Sequence, residues 1–231
     1  MFSIAETTLA VQGSDERFPV RRVYCVGRNY ADHAREMGAD PDREPPFYFA
    51  KPADAVFTAD EGYLGGPAGV VPYPPQTENL HHEIELVVAI GTGGVDISPS
   101  VALQHVWGYG VGVDLTRRDM QDVAKGARRP WDLAKGFDAS GPVSELVPAG
   151  DTHPDRGRIW ISVDDELKQQ GDLADQIWPV ADVIAYLSAS VALAPGDLIM
   201  TGTPSGVGRI DRGQHVDGGI DGIGELHFTV R

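Results

Sequence analysis

The 231-residue chain has one cysteine, two asparagines, and only 19 lysines and arginines against 34 aspartates and glutamates. Each shortage excludes something. With Cys25 alone, neither an intramolecular disulfide nor a cysteine-based zinc site can form, so a reduced, cytoplasmic setting is expected. Neither Asn29 nor Asn79 opens a glycosylation sequon. No apolar run approaches the ~18 residues of a membrane span, and the first dozen residues lack a basic region followed by a long apolar one, so neither membrane insertion nor export is expected. The net charge of −15 opposes attraction to nucleic acid or to an anionic membrane surface.

Glycine and proline, in contrast, are plentiful at 28 and 17, and they punctuate the chain into short elements. At 42% hydrophobic residues the chain can bury one sizeable core. It shows no internal repeat, low-complexity tract or charged linker, so a short lead-in over residues 1–19 and one domain over 20–231 are expected. Apolar and β-branched runs predict strands over 20–26, 46–50, 82–90, 108–114, 158–163, 197–201 and 224–230. Helices are predicted over 29–37, with Asn29 as its cap and Gly38 as its stop, and over 99–106, 116–125 and 179–190. Strands and helices do not alternate, which argues for an α+β, β-rich architecture over a doubly wound or βα-barrel one.

The scarce basic residues are unevenly placed. Residues 52–116 contain no lysine or arginine but eight acids, whereas residues 117–135 carry six bases against Asp119, Asp122 and Asp132. Within the acidic stretch, the run His82-Glu-Ile-Glu-Leu-Val-Val-Ala-Ile90 is apolar enough to be a buried strand, yet it holds Glu83 and Glu85 two apart, on one face. Carboxylates so placed are destabilising unless protonated, paired with cations or bound to a metal. Asp114 adds a third at the end of another apolar run. Three oxygen donors suit a hard cation, Mg²⁺ or Mn²⁺ ahead of zinc, with Ca²⁺ also accommodated. The alternative is an edge strand with its acidic face in water.

His33 and Glu36 are three apart on the first helix, and a carboxylate beside an imidazole raises its basicity, as a general base requires. The same pair is common on solvated helix surfaces. The glycine-rich Gly202-Thr-Pro-Ser-Gly-Val-Gly208 matches no phosphate loop but could form a turn whose N–H groups and hydroxyls hold a carboxylate. Cys25 reads as inert core, and His81, His105, His153, His215 and His227 read as structural or surface residues.

The blocks Tyr24-Cys-Val-Gly-Arg-Asn-Tyr-Ala-Asp-His33, Pro46-Phe-Tyr-Phe-Ala-Lys-Pro52, His81-His-Glu-Ile-Glu-Leu86, Gly112-Val-Asp-Leu-Thr-Arg-Arg-Asp119, Ala134-Lys-Gly-Phe137 and Thr201-Gly-Thr-Pro-Ser-Gly-Val-Gly208 resemble, in order, the signature blocks of the fumarylacetoacetate hydrolase family. The chain is similar to its short, single-domain members. Asp40-Pro-Asp-Arg-Glu-Pro-Pro46 and Arg129-Pro-Trp-Asp-Leu-Ala-Lys-Gly-Phe-Asp138 look most like the branch that cleaves fumarylpyruvate in gentisate breakdown. The resemblance implies a mixed β-roll, a homodimer, a metal held by Glu83, Glu85 and Asp114, a water-activating pair of His33 and Glu36 on a lid, and a pocket for a small dicarboxylate or 2-oxo acid lined by Arg118, Gln121, Lys135 and Thr203. It implies hydrolysis of a carbon–carbon bond in a 2,4-dioxo acid. Oxaloacetate decarboxylation, other acylpyruvate hydrolysis and dioate isomerisation are the alternatives within the family. A non-catalytic metal- or carboxylate-binding protein is the remote one.

Overall fold

The computed structural model describes residues 1–36, 45–150 and 153–231, apart from the side chains of Ala34 and Glu36. Its frame is an eight-stranded mixed sheet. In spatial order it runs Phe47–Lys51, Arg22–Gly27, Asp197–Met200, Ile84–Ile90, Val106–Val113, Gly141–Val143 and Val56–Thr58, with Val147–Pro148 also paired to Val106–Val113. Asp197–Met200 runs parallel to Arg22–Gly27, and Gly141–Val143 parallel to Val56–Thr58, while the other pairings are antiparallel. A five-stranded sheet packs against this frame, in the order Glu166–Asp172, Arg158–Val163, His215–Ile220, Gly224–Val230, Val70–Val71. The few helices are short, so the architecture is a β-rich, mixed β-roll. Among the described residues no helix is long and apolar enough to cross a membrane.

The strand Ile84–Ile90 is central, and this explains its composition. Leu86, Val88 and Ile90 enter the main core between the two sheets, while Val87 and Ala89 enter a second core with Val23, Cys25, Leu198 and Met200. A strand buried on both faces needs apolar residues without alternation. The edge-strand reading of its glutamates is therefore overturned: Glu85 sits at 2% exposure in the middle of a sheet. The hairpin Thr8–Val11 with Ser14–Pro19 caps the second core through Leu9, Val11 and Phe18. Cys25 is buried, and burial raises its thiol well above the ordinary value, in keeping with an inert role.

Several predicted boundaries shift for local reasons. The predicted strand over 82–90 is interrupted at Glu83, which separates Leu80–His82 from Ile84–Ile90. The first two residues of the helix predicted over 116–125 instead form a bridge strand, and the helix is Arg118–Gly126. The helix predicted over 99–106 stops at Ala102 and gives way to one tight turn. The first helix is Ala31–Glu36, and Asn29 does not cap it. Its amide donates to the carbonyls of Trp178 (2.9 Å) and Thr201 (2.8 Å), and its oxygen accepts from Trp178 N (2.8 Å), so it ties three chain segments together. The predicted stop at Gly38 and most of the Asp40–Pro46 motif lie outside the described residues.

Candidate active site

Three carboxylates meet where neighbouring strands end. Glu83 occupies the strand interruption, Glu85 follows in Ile84–Ile90, and Asp114 comes directly after Val106–Val113. Ile84 and Val113 are register partners, and Asp114 N donates to Glu83 O at 2.8 Å, which fixes the two strand ends to each other. One oxygen from each carboxylate lies within 4.8 Å of the other two, and the residues are 6%, 2% and 0% exposed.

Three cations surround them. Lys135, at the end of the short helix Asp132–Lys135, donates from Nζ to Glu83 Oε2 (2.7 Å) and Asp114 Oδ2 (2.6 Å). Arg118 Nη2 donates to Glu83 Oε1, and Nη1 to Gln121 Oε1 at 2.5 Å. Lys51 Nζ lies 2.7 Å from Asp114 Oδ1 as an ion pair without hydrogen-bond alignment, and it donates to the carbonyls of Leu115 (3.3 Å) and Lys135.

The balance of burial and charge differs at each carboxyl. At Glu83, burial disfavours the charge, but Lys135 and Arg118 outweigh it and hold the carboxyl well below the usual carboxylate range. At Glu85, burial is joined by repulsion from Asp114 and Glu83, and the carboxyl is pushed well above its ordinary value. Its hydrogen-bond partner is the N–H of Gly202, at 2.7 Å from Oε2. The glycine-rich turn thus does hold a carboxylate, the protein's own. Gly202 has a φ of 95°, and a Cβ there would sit 2.7 Å from Asn29 Cβ, so glycine lets the turn come close enough to donate. Lys135, although buried, is pushed up by Asp114 and Glu83. An all-oxygen donor set, buried and with one member driven against its own charge, fits a hard divalent cation such as Mg²⁺ or Mn²⁺.

His33, Arg118, Gln121, Lys135 and Thr203 line the cleft that Glu83 and Glu85 open into. His33 is buried, 6% exposed, and close enough to Glu83 that a proton on its imidazole would help keep that carboxyl down. The Glu36 side chain lies outside the described residues; its backbone ends the helix that carries His33.

Other residues in the cleft were not singled out by sequence. Arg28, Phe47, Phe49, Lys125 and Trp131 line it as well. Arg28 adopts a left-handed φ of 58°, a conformation costing roughly 1–2 kcal/mol in a non-glycine residue. Its guanidinium stands 5.6 Å from the Phe47 ring centre. A Cβ on the preceding Gly27 would lie 2.0 Å from Phe47 Cζ, so only glycine there lets that ring reach the cleft. Lys125 Nζ lies 5.3 Å from the Trp131 ring centre; burial, with the nearby Arg118 charge, pushes its ammonium down to about 8. Below the cleft, Gln169 uses all four hydrogen-bonding positions of its amide: Nε2 donates to Thr203 Oγ1 and Pro204 O (both 2.7 Å), and Oε1 accepts from Ile84 N (3.2 Å) and His82 Nδ1 (2.8 Å). No spacing in the sequence announces this residue. His81, expected to lack a partner, accepts from Arg118 Nε at 3.3 Å.

The fumarylacetoacetate hydrolase C-terminal family profile matches residues 22–231. A candidate fumarylpyruvate hydrolase from Burkholderia cenocepacia is 58% identical and superposes with a TM-score of 0.90, covering 100% of this chain and 93% of its own. The fumarylpyruvate hydrolase from Pseudomonas aeruginosa, solved in complex with Mn²⁺ and pyruvate, is 52% identical with a TM-score of 0.94, covering 100% and 97%. A mitochondrial oxaloacetate tautomerase from Arabidopsis thaliana is 39% identical over 210 residues, 90% of each chain.

Proposed function

Because this chain belongs to the fumarylacetoacetate hydrolase family, we propose that it is a metal-dependent hydrolase that splits the C3–C4 bond of 3-fumarylpyruvate with water, giving fumarate and pyruvate. The observation that carries this reading is the buried triangle of Glu83, Glu85 and Asp114, of which Glu83 and Glu85 open into a cleft that cationic and aromatic side chains also line. The relative from P. aeruginosa, with Mn²⁺ and pyruvate bound, supports both the cation and the three-carbon end of the substrate.

Glu83, Glu85 and Asp114 are the residues that would hold Mg²⁺ or Mn²⁺. A divalent cation there supplies positive charge against the negative charge that develops on the 2-oxo oxygen. Lys135 and Arg118 offset the charge of the substrate's 1-carboxylate. Gln121 accepts from Arg118 through its oxygen, which leaves its NH₂ group as a donor to a substrate oxygen, and Gln169 aims the Thr203 hydroxyl. His33, with Glu36 one helical turn on, takes a proton from water, and the hydroxide attacks C4. The C3–C4 electron pair passes to the pyruvate fragment, and the proton on His33 returns to C3. Phe47, Phe49 and Trp131 flank the unsaturated acyl chain, and Lys125 and Arg28 meet its distal carboxylate. We further assign the protein to a reducing cytoplasm, to a homodimer, to residues 20–231 as the catalytic unit, and to breakdown of gentisate-type aromatics.

The relationship to an oxaloacetate tautomerase favours a second reading, in which oxaloacetate is the substrate. Oxaloacetate offers the same 2-oxo acid end but no long acyl chain for the aromatic wall. Purified protein with Mg²⁺, assayed side by side on fumarylpyruvate, acetylpyruvate and oxaloacetate, decides between them. Fumarylpyruvate is expected to give the highest kcat/KM, whereas fastest consumption of oxaloacetate would overturn the substrate assignment.

A further inference from the structure

We propose that His215, Asp217 and His227 form a second metal site, on the exposed face of the five-stranded sheet, that takes a borderline transition-metal dication of the Zn²⁺ type. His215 and Asp217 are two apart in the strand His215–Ile220 and so project from one face. In the adjacent strand His227 is the register partner of Asp217, and Thr229 that of His215. The four side chains therefore form a compact square.

The donor atoms already converge. Asp217 Oδ1 lies 3.1 Å from His215 Nε2 and 2.5 Å from His227 Nδ1, and one ligand atom from each residue falls within 4.8 Å of the other two. Nitrogen and oxygen donors bind zinc at about 2.0–2.2 Å, which in a tetrahedral site puts donor atoms about 3.4 Å apart. A small rotation of the half-buried Asp217 carboxylate meets that spacing, and the solvent side supplies the fourth position to water.

The outer nitrogens provide an independent observation. Metal-bound imidazoles characteristically direct their second nitrogen at an oxygen that fixes tautomer and ring orientation. Here His215 Nδ1 is 3.3 Å from Thr229 Oγ1, and His227 Nε2 is 3.7 Å from Glu225 Oε2. Each ring thus turns one nitrogen to the shared carboxylate, while the other lies within hydrogen-bond distance of the Thr229 hydroxyl in His215 and at ion-pair distance from Glu225 in His227. The two sites differ in donor chemistry: the buried triangle offers oxygen alone and suits Mg²⁺ or Mn²⁺, whereas two imidazoles select Zn²⁺, Co²⁺, Ni²⁺ or Cu²⁺. A cation here crosslinks two neighbouring strands of the sheet.

Zinc titrated into Mg²⁺-loaded protein, followed by calorimetry and by equilibrium dialysis, tests this site. Any zinc that enters the carboxylate triangle is common to wild type, His215→Ala and His227→Ala, so their difference isolates the surface site. Each variant is expected to lose one zinc per chain, or to bind it about tenfold or more weakly, while keeping wild-type hydrolase activity; Thr229→Val is expected to weaken it less. Unchanged zinc stoichiometry and affinity in both histidine variants would overturn the proposal, whatever the substrate of the enzyme proves to be.

Discussion

Glu85 is the residue at which the site is most sharply defined. Its carboxyl is raised because burial, Asp114 and Glu83 all oppose its charge, so without a cation the protein gains little from that charge. Gly202 N–H can donate to an amide oxygen as readily as to a carboxylate. Glu85→Gln is therefore expected to leave the unfolding free energy of the metal-free protein, read from urea titration, within about 1 kcal/mol of wild type, or above it, while removing most of the stabilisation by Mn²⁺. A large loss of metal-free stability would contradict this account of its environment. His33→Ala is expected to bind substrate but to lower kcat about a hundred- to ten-thousandfold, the usual worth of a positioned base, as read by steady-state kinetics. Lys125 gives a pH signature. With its ammonium pushed down to about 8, it is charged at neutral pH and loses its charge as pH rises through that value. The ratio kcat/KM should fall on the alkaline side near pH 8 while kcat holds, and Lys125→Arg, which keeps the charge, should remove that limb.

At the scale of elements, the triangle was legible because its chemistry conflicts with its setting. Two glutamates inside an apolar run, and an aspartate ending another, are visible in sequence as a cost that some partner must offset. The strands carrying them were legible for the same reason, since a strand buried on both faces has an unbroken apolar signature. What escaped notice was whatever depends on pairing distant segments. Lys51 meets Asp114 across 63 positions, and Gln169 reaches Thr203, Ile84 and His82 from a strand whose sequence, Glu166–Asp172, is polar enough to pass for surface. Asn29 reads as a helix cap because its local context is that of one, and tertiary partners take it instead. The predicted carboxylate-binding turn was correct in chemistry and incomplete in partner, because nothing local points from Gly202 to Glu85. Gln169 carries the consequence: it couples the second sheet to the cleft, so Gln169→Leu strands several buried polar groups, each costing about 1–3 kcal/mol, and releases the Thr203 hydroxyl. A lowered urea midpoint together with a raised KM is expected, and wild-type values of both would contradict the role.

For the whole molecule, the charge of −15 seems at first to oppose an anionic substrate. The distribution resolves this: the stretch without bases supplies the three carboxylates for a cation, and the base-rich stretch supplies Arg118, Lys125 and Lys135 beside them. The protein as a whole repels polyanions while one cleft attracts a small one. Binding at the triangle also links to global stability. A dication at about a hundred times its dissociation constant adds about 2.7 kcal/mol, and a chain of this size gains roughly 2–4 °C in Tm per kcal/mol. Calorimetry with and without Mn²⁺ is expected to show that rise in wild type and to lose most of it in Glu85→Gln. Sedimentation is expected to return twice the 24.8 kDa of one chain.

The central claim, that this cleft hydrolyses fumarylpyruvate with a cation held by Glu83, Glu85 and Asp114, is tested most directly by chelation. Protein dialysed exhaustively against EDTA is expected to have lost its activity on fumarylpyruvate. Mn²⁺ or Mg²⁺ should restore it fully in wild type, and not in a folded Glu85→Gln variant at the same concentration. Full activity after the chelator treatment, with no response to added metal, would contradict the account.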